Sequence, residues 1–207
     1  MNTTRMITQI EELDKKRYKI YIDQEFGFVL YKGEIAEYKI KINCPIDSKV
    51  YYVIKKELLP KRAKKRCLNL LQKRPYTEHK LREKLTEGLY TEDIIDEAID
   101  YVKSFHYIDD YEYACRYIFY HKESESRKKM EEKLIIKGIE GEILSKAFAD
   151  SYSDDEAFSI EMEQAIKLLQ KRKYEPQNAD WKEKQKIYVF LLRKGISPSI
   201  IKKAMEL

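Results

Sequence analysis

The sequence predicts a mainly α-helical protein in which three tandem three-helix repeats form a curved, elongated body behind a small β-containing N-terminal module. Charged residues make up 37% of the 207-residue chain, which contains only 6 Gly and 5 Pro, so turns are scarce and helices are favoured. The first part of the chain instead has short β-branched and aromatic segments. Beyond it, one pattern of apolar residues at helical spacing occurs three times.

The N-terminal module is predicted over residues 1–47. Three segments rich in β-branched and aromatic residues are predicted strands, at 6–10, 17–22 and 26–30. Residues 23–25 form the predicted turn between the last two strands. Asp47 or Ser48 can cap the helix that follows, so the module is expected to end there.

The three repeats are predicted over residues 48–110, 111–153 and 154–207. In each repeat a leucine is followed nine and ten residues later by an apolar pair and thirteen residues later by an alanine. The leucines are Leu85, Leu134 and Leu191, the pairs begin at Ile94, Ile143 and Ile200, and the alanines are Ala98, Ala147 and Ala204. Each repeat is predicted to contain a long first helix, a short second helix and a third helix that carries the apolar pair. A glycine three or four residues after each leucine is expected to end the second helix, at Gly88, Gly138 and Gly195.

One basic segment occurs in both the first and the third repeat. Residues 70–76 (LLQKRPY) and 168–174 (LLQKRKY) are identical at six of seven positions. The predicted partner-binding residues are the basic pairs of these segments together with the basic pair near the C-terminus: Lys73, Arg74, Lys171, Arg172, Arg193 and Lys194. The alternative interpretations are solvated helix faces or internal ion pairs, for example between Arg74 and Glu78.

No pattern of catalytic or metal-binding residues is found in the sequence. The motifs GxGxxG, GxxxxGK[ST], HExxH and GxSxG are absent, and the histidines at 79, 106 and 121 lie far apart. The adjacent carboxylates Asp109 and Asp110 are interpreted as a helix cap, although they can be imagined holding a divalent cation. The sequence therefore predicts a non-enzyme without cofactor or metal.

The chain is expected to be a cytoplasmic monomer that does not enter membranes. Its longest apolar run, residues 187–192, is far shorter than the ~18 residues of a membrane span, and no apolar signal core follows residues 1–5. The three cysteines are odd in number and far apart, so we expect them to be reduced and mostly buried: Cys44, Cys67 and Cys115.

Charge is unevenly distributed along the chain, although the net charge is only +5. Residues 55–74 contain nine basic side chains and one acid, whereas residues 92–112 contain eight acids and one lysine. Such segregation suits a large polar or polyanionic partner better than a small ligand. The 17 tyrosines are interpreted as core residues, with stacking on single-stranded nucleic acid as the alternative.

An ordered set of motifs between residues 67 and 205 resembles a known family. They include YIDDYEYA at 107–114, LIIKGI at 134–139 and LLRKGISPSII at 191–201. This set resembles the bacterial RecX regulatory proteins, and residues 17–28 resemble the N-terminal extension of some members. The Lys-Gly-Pro usual before the second helix of repeat 2 is replaced by ESRK at 125–128, which affects the local loop.

The resemblance implies a protein that binds the RecA recombinase filament on single-stranded DNA in its groove. It further implies that the protein restrains filament growth, ATP hydrolysis and strand exchange in DNA repair, recombination and the SOS response. The competing interpretation is a helical protein that binds nucleic acid directly through its basic faces. The moderate pI and the acidic band argue against it, although weak direct DNA contact is compatible with the first interpretation.

Overall fold

The computed structural model describes residues 5–206, apart from the side chain of Asp154. Residues 1–4, which belong to the predicted N-terminal module and to the segment examined for a signal core, lie outside this range, as does residue 207. The chain divides into two compact units between Ile108 and Asp109. The predicted fold class is confirmed, because a small antiparallel sheet is followed by helices that form three-helix repeats.

The N-terminal sheet is an antiparallel meander of three strands. These are β1 (Ile7–Glu12), β2 (Arg17–Ile22) and β3 (Glu25–Tyr31), with β2 in the centre. Asp23 and Gln24 connect β2 to β3 with φ angles of 52° and 73°. Two left-handed residues match the twist of a tight two-residue hairpin. The predicted strands and the predicted turn are confirmed.

Five α-helices and one π-helical segment follow the sheet in unit 1 within the described residues. They are α1 (Lys32–Glu37), α2 (Ser48–Val53), the π segment (Ile54–Leu58), α3 (Leu59–Leu71), α4 (Glu78–Thr86) and α5 (Glu92–Ser104). Asp47 caps α2 as predicted, since its carboxylate accepts the N–H of Lys49 at 2.8 Å and that of Val50 at 3.2 Å. Helix α1 was not predicted. It begins where the carboxylate of Glu34 accepts the N–H of Tyr31 at 2.7 Å.

The sheet and the first repeat share one hydrophobic core. Its fully buried side chains come from the inner face of the sheet and from α3 to α5: Ile20, Phe28, Leu30, Ala63, Leu85, Ile95 and Ala98. Burial of each large aliphatic or aromatic side chain contributes about 1.5–3 kcal/mol, so this common core holds the sheet against the helices. Arg62 adds a polar link, because it donates to the carbonyl of Val29 at 3.1 Å and pairs with Glu34.

Unit 2 contains two three-helix groups, each with its own core. The helices are α6 (Asp110–His121), α7 (Arg127–Ile136), α8 (Gly141–Ser151), α9 (Asp154–Lys171), α10 (Trp181–Arg193) and α11 (Pro198–Met205). The core of α6 to α8 is built around Leu134 and Phe148, and the core of α9 to α11 around Leu191 and Ile201. Among the described residues, no helix combines the length and the apolar character needed to cross a membrane.

The predicted apolar pattern is confirmed at its anchor positions. The three leucines are fully buried, and so are the three alanines thirteen residues later. The exception is Ile143, which is 43% exposed although its counterparts Ile94 and Ile200 are buried. The predicted short second helix is wrong for repeat 3, because α10 has 13 residues and α11 only 8.

The end of each second helix follows one geometry that the glycines only partly predict. The residue four positions after the anchor leucine has a left-handed φ in all three repeats: 59° at Leu89, 84° at Gly138 and 86° at Gly195. The next residue donates its N–H to the carbonyl of the leucine each time, at 3.0 to 3.4 Å. Gly88 lies only three positions after Leu85, so the expectation that it ends α4 in the left-handed conformation is wrong.

The cysteines are free thiols, but the prediction that they are mostly buried holds only for Cys67. Cys67 is buried in the core of unit 1, whereas Cys44 and Cys115 are only half-buried. Burial raises the pKa of the Cys67 thiol to about 11, because the thiolate loses its hydration there. Cys67 therefore behaves as a small core side chain.

Candidate partner-binding site

The basic pair of the first repeat lies on the turn after α3. Lys73 and Arg74 are exposed, and both donate their backbone N–H to the carbonyl of Leu70, at 3.1 and 3.4 Å. The guanidinium of Arg74 lies over the ring of Tyr76, 4.8 Å from its centroid. In the part of unit 1 that the structure describes, Arg74 forms no ion pair, so the alternative pairing with Glu78 is not observed.

The basic pair of the third repeat lies at the end of α9. Lys171 is the last helical residue, and Arg172 is the C-cap; both are exposed. The guanidinium of Arg172 lies 4.2 Å from the ring centroid of Phe190 in α10. Across the described residues of unit 2, no carboxylate pairs with Arg172. An exposed arginine supported by an aromatic ring is therefore common to both repeats.

The turns that follow the two basic pairs differ because residue 75 is proline, whereas the equivalent residue 173 is lysine. Lys173 has a φ of 53°, which lets Tyr174 donate its N–H to the carbonyl of Leu169 at 3.1 Å. Pro75 occupies this position in repeat 1, and its ring fixes φ near −65°. Arg74 packs on the tyrosine of its own segment. Arg172 packs on the neighbouring helix instead.

The predicted residues of unit 2 line two separate depressions, a cleft and a groove. Arg193 and Arg172 line an open cleft of about 460 Å³ that also contains Lys186, Val189 and Phe190. Lys171 and Lys194 instead line a groove of about 700 Å³ bordered by α7 and α9. The structure thus brings Arg172 together with Arg193, and Lys171 together with Lys194. Lys73 and Arg74 belong to unit 1.

Sequence reasoning did not identify several residues that lie beside the predicted ones in each unit. Lys182 and Lys186 precede Arg193 by eleven and seven residues, so all three lie on one face of α10. They are exposed, and no ion pair to them is found in the described part of unit 2. The aromatic supports Tyr76 and Phe190 were also missed. The signal available was the helical spacing of the basic residues, together with a tyrosine two residues after Arg74.

This arrangement is suited to binding extended anions. A guanidinium stacked on a ring keeps its N–H groups directed outward, where the planar fork donates two parallel hydrogen bonds to a carboxylate or phosphate. The ring also limits the conformations of the arginine before binding, which lowers the entropy cost of the contact. Each of these arginines can therefore hold an acidic side chain or a phosphate of a macromolecule.

Asp109 and two of the three histidines have structural partners. Asp109 caps α6 by accepting the N–H of Glu112 at 2.9 Å, which confirms its interpretation as a helix cap. His79 lies 3.1 Å from Glu83, and His121 stacks on Tyr117. Within residues 5–206, no group of three or more His, Cys, Asp or Glu side chains is arranged to hold a metal ion.

The loop that departs from the family pattern lies before α7 within repeat 2, and it contacts repeat 3 through a hydrogen bond. Ser126 is the N-cap residue of α7, and its buried hydroxyl donates to the carbonyl of Lys194 at 2.8 Å. Glu161 of α9 accepts the N–H of Ser197 at 2.5 Å and thereby caps α11. Ser197 is the N-cap residue of that helix and Pro198 its first residue, and the side chain that accepts the Ser197 N–H is Glu161.

Family models and curated relatives agree on one protein family. The model described as "RecX, third three-helix domain" matches residues 159–205, and "RecX, first three-helix domain" matches residues 63–101. A regulatory protein RecX of Clostridium perfringens is 31% identical over 191 residues, which cover 90% of this chain and 87% of the relative. One from Clostridium acetobutylicum is 29% identical and covers 97% and 94%.

Solved structures share the fold. A crystal structure described as regulatory protein RecX has a TM-score of 0.65 and covers 98% of this chain and 100% of its own, at 21% identity. RecX from Lactobacillus salivarius has a TM-score of 0.61 at 25% identity and covers 72% of this chain and 95% of its own. Two family domains, a relative above 30% identity and the shared fold place the chain: it belongs to the RecX family of regulatory proteins.

Proposed function

We propose that this protein binds the RecA recombinase filament on single-stranded DNA, lies in its groove, and restrains filament growth, ATP hydrolysis and strand exchange. It acts in the cytoplasm as a monomer and catalyses no reaction itself. Membership of the RecX family supports the regulatory role, since the relatives are named regulatory proteins. The exposed basic residues support a macromolecular partner.

One observation carries the proposal. Arg74 and Arg172 occupy the same position in two repeats, and each lies exposed on an aromatic ring at 4.8 and 4.2 Å. Neither charge is neutralised by a carboxylate within the described part of its own unit. A filament of identical subunits offers the same acidic groups many times, so each of the two arginines can bind an equivalent group on it.

The test is a titration of this protein into RecA, single-stranded DNA and ATP. We expect ATP hydrolysis and strand exchange to fall at near-stoichiometric or lower amounts, because each bound molecule blocks several filament subunits. Pull-down of RecA should persist after nuclease treatment, since the main contacts are to protein. Unchanged hydrolysis and strand exchange up to a large excess would contradict the proposal.

The basic face of α10 favours a second candidate, direct binding to nucleic acid. Lys182, Lys186 and Arg193 can each contact a phosphate, and Trp181 beside them is 73% exposed and available for stacking. This candidate predicts tight binding to naked DNA in the absence of RecA. The affinity should then fall steeply with salt, because each neutralised phosphate releases counterions. Weak binding to naked DNA beside strong RecA inhibition supports the first proposal.

A further inference from the structure

The groove between α7 and α9 has an apolar floor and an exposed apolar edge. Its volume is about 700 Å³, within the ~300–1,000 Å³ range of ligand sites. Leu168 and Ile196 lie at its floor, and Ile136 at its edge is 68% exposed. Covering a large aliphatic side chain with this exposure is favourable, because its apolar surface is then removed from water. The groove thus offers a place for an apolar side chain.

Lysines dominate the charges around the groove. Its lining includes five lysines and three glutamates: Lys129, Lys133, Lys167, Lys171, Lys194, Glu123, Glu125 and Glu132. Lys133 donates to both carboxylate oxygens of Glu125 at 2.7 Å, and Lys167 pairs with Glu163 at 3.3 Å. Lys129, Lys171 and Lys194 have no ion-pair partner among the described residues of unit 2. The lining is therefore positive, with an excess of two charges, one of which Glu163 offsets through its ion pair with Lys167.

The walls of the groove are held together before any partner arrives. The amide of Gln164 in α9 donates to the carbonyls of Lys122 and Glu125, at 2.8 and 3.1 Å, in the turn before α7. On the other side, the hydroxyl of Ser126 donates to the carbonyl of Lys194 at 2.8 Å. These bonds fix α7, α9 and the loop after α10 relative to one another. A preformed groove loses little conformational entropy on binding.

We propose that this groove binds an acidic peptide segment of the partner protein, one in which carboxylates flank a large apolar side chain. The apolar side chain lies on Leu168 and Ile196 beneath Ile136, and the carboxylates pair with Lys129 and Lys171. A phosphodiester backbone fits less well, because it offers a charge every ~3.4 Å per strand and no apolar group, whereas glutamates alternate with lysines here. The inference rests on the proposed function for the identity of the partner, the RecA filament.

The first test uses charge reversal and removal of the exposed isoleucine. We compare wild type with Lys129→Glu/Lys171→Glu and with Ile136→Ser, each checked by circular dichroism, for the concentration that halves RecA ATP hydrolysis. The double variant should need about tenfold more protein, since two lost ion pairs of ~0.7 kcal/mol each correspond to that factor. Ile136→Ser should need several-fold more. Lys202→Glu, an exposed lysine outside the groove, is the matched control and should change the value less than twofold.

The second test identifies what occupies the groove. A photo-crosslinking benzoylphenylalanine replaces Ile136, and the crosslinked product on RecA filaments is analysed by mass spectrometry. A RecA peptide with Asp or Glu beside a large apolar residue supports the inference. Crosslinks to DNA, crosslinks to a peptide without acids, or full inhibition by both groove variants overturn it. If wild type itself leaves RecA unaffected, the proposed function fails first, so the two failures are distinguished.

Discussion

Ser126 lies so close to Gly195 that a β-carbon on the glycine would sit 2.3 Å from the serine hydroxyl oxygen. The same hydroxyl donates to the carbonyl of Lys194 at 2.8 Å. Gly195 also has a φ of 86°, a conformation that side chains with a β-carbon adopt at a cost. This contact joins the start of α7 to the turn after α10. Position 195 requires glycine both because of the contact and because of its left-handed backbone.

Replacing Gly195 with alanine should therefore destabilise unit 2. Left-handed strain and the clash with Ser126 together cost about 2–4 kcal/mol, measured as a lower free energy of unfolding in urea. Gly33→Ala is the control, because nothing lies within 4 Å of a β-carbon built there and the residue is inside a helix. Adding Ser126→Ala to Gly195→Ala should recover only the steric part. Equal stability of Gly195→Ala and wild type would show that this contact is not tight.

The regular part of the fold was predictable because it depends on local patterns. Strands β1 to β3, the Asp47 cap and the buried leucines at 85, 134 and 191 follow from alternation, capping and helical spacing. Helix α1 was missed because part of its support is not local, although Glu34 also accepts the N–H of Tyr31. Glu34 is held by Arg62, which lies 28 residues later in α3. Similarly, the left-handed residue lies four positions after the anchor leucine in every repeat, so Leu89 adopts this conformation although it is not a glycine.

The candidate site was predictable only as a set of basic residues. The repeated Leu-Leu-Gln-Lys-Arg segment points to Arg74 and Arg172, but the ring beneath Arg172 comes from Phe190, eighteen residues away. Tertiary packing also separates Lys171 from Arg172, which line a groove and a cleft respectively. Two side chains that are adjacent in sequence at the end of a helix point in different directions, and these directions depend on the turn that follows. The four-segment division of the chain remains a prediction.

The carboxylate of Glu78 should contribute to stability in a pH-dependent manner. Burial alone would raise the pKa of Glu78, but hydrogen bonds from Lys103 and Arg82, at 2.8 and 2.9 Å, outweigh it and lower the pKa below the ordinary value of 4.5. The stabilisation is then complete above pH 4.5 and is lost as the pH falls through the lowered pKa. Glu78→Gln should cost about 1–2 kcal/mol at pH 7, and this cost should decrease as the pH falls from 4.5 through the lowered pKa.

Urea unfolding between pH 3 and 7 measures this difference. Glu57→Gln provides the control, since Glu57 is exposed and has no ion pair among the described residues of unit 1. It should leave the free energy of unfolding within ~0.5 kcal/mol of wild type. A Glu78→Gln cost that stays constant from pH 7 to pH 3 would contradict the assignment to an ionised carboxylate.

The three thiols should react at different rates in the folded protein. Cys67 is fully buried with a pKa of about 11, so both access and the thiolate fraction are low at pH 8. Cys44 and Cys115 are half-buried and should be alkylated by iodoacetamide first. Mass spectrometry of tryptic peptides over time measures each site, and 6 M urea should remove the difference. Alkylation of Cys67 as fast as that of Cys44 without denaturant would contradict its place in the core.

Inhibition of RecA by variants of the repeated arginine tests the central claim most directly. Arg74→Glu and Arg172→Glu are titrated separately into RecA, single-stranded DNA and ATP, beside the charge controls Lys65→Glu for unit 1 and Lys202→Glu for unit 2. With melting temperatures checked by circular dichroism, we predict that each arginine variant keeps its fold and loses about tenfold in inhibition of ATP hydrolysis, the loss that ~1.4 kcal/mol produces, while the controls inhibit like wild type. Full inhibition by both arginine variants, or loss of inhibition only together with loss of folding, would contradict the account.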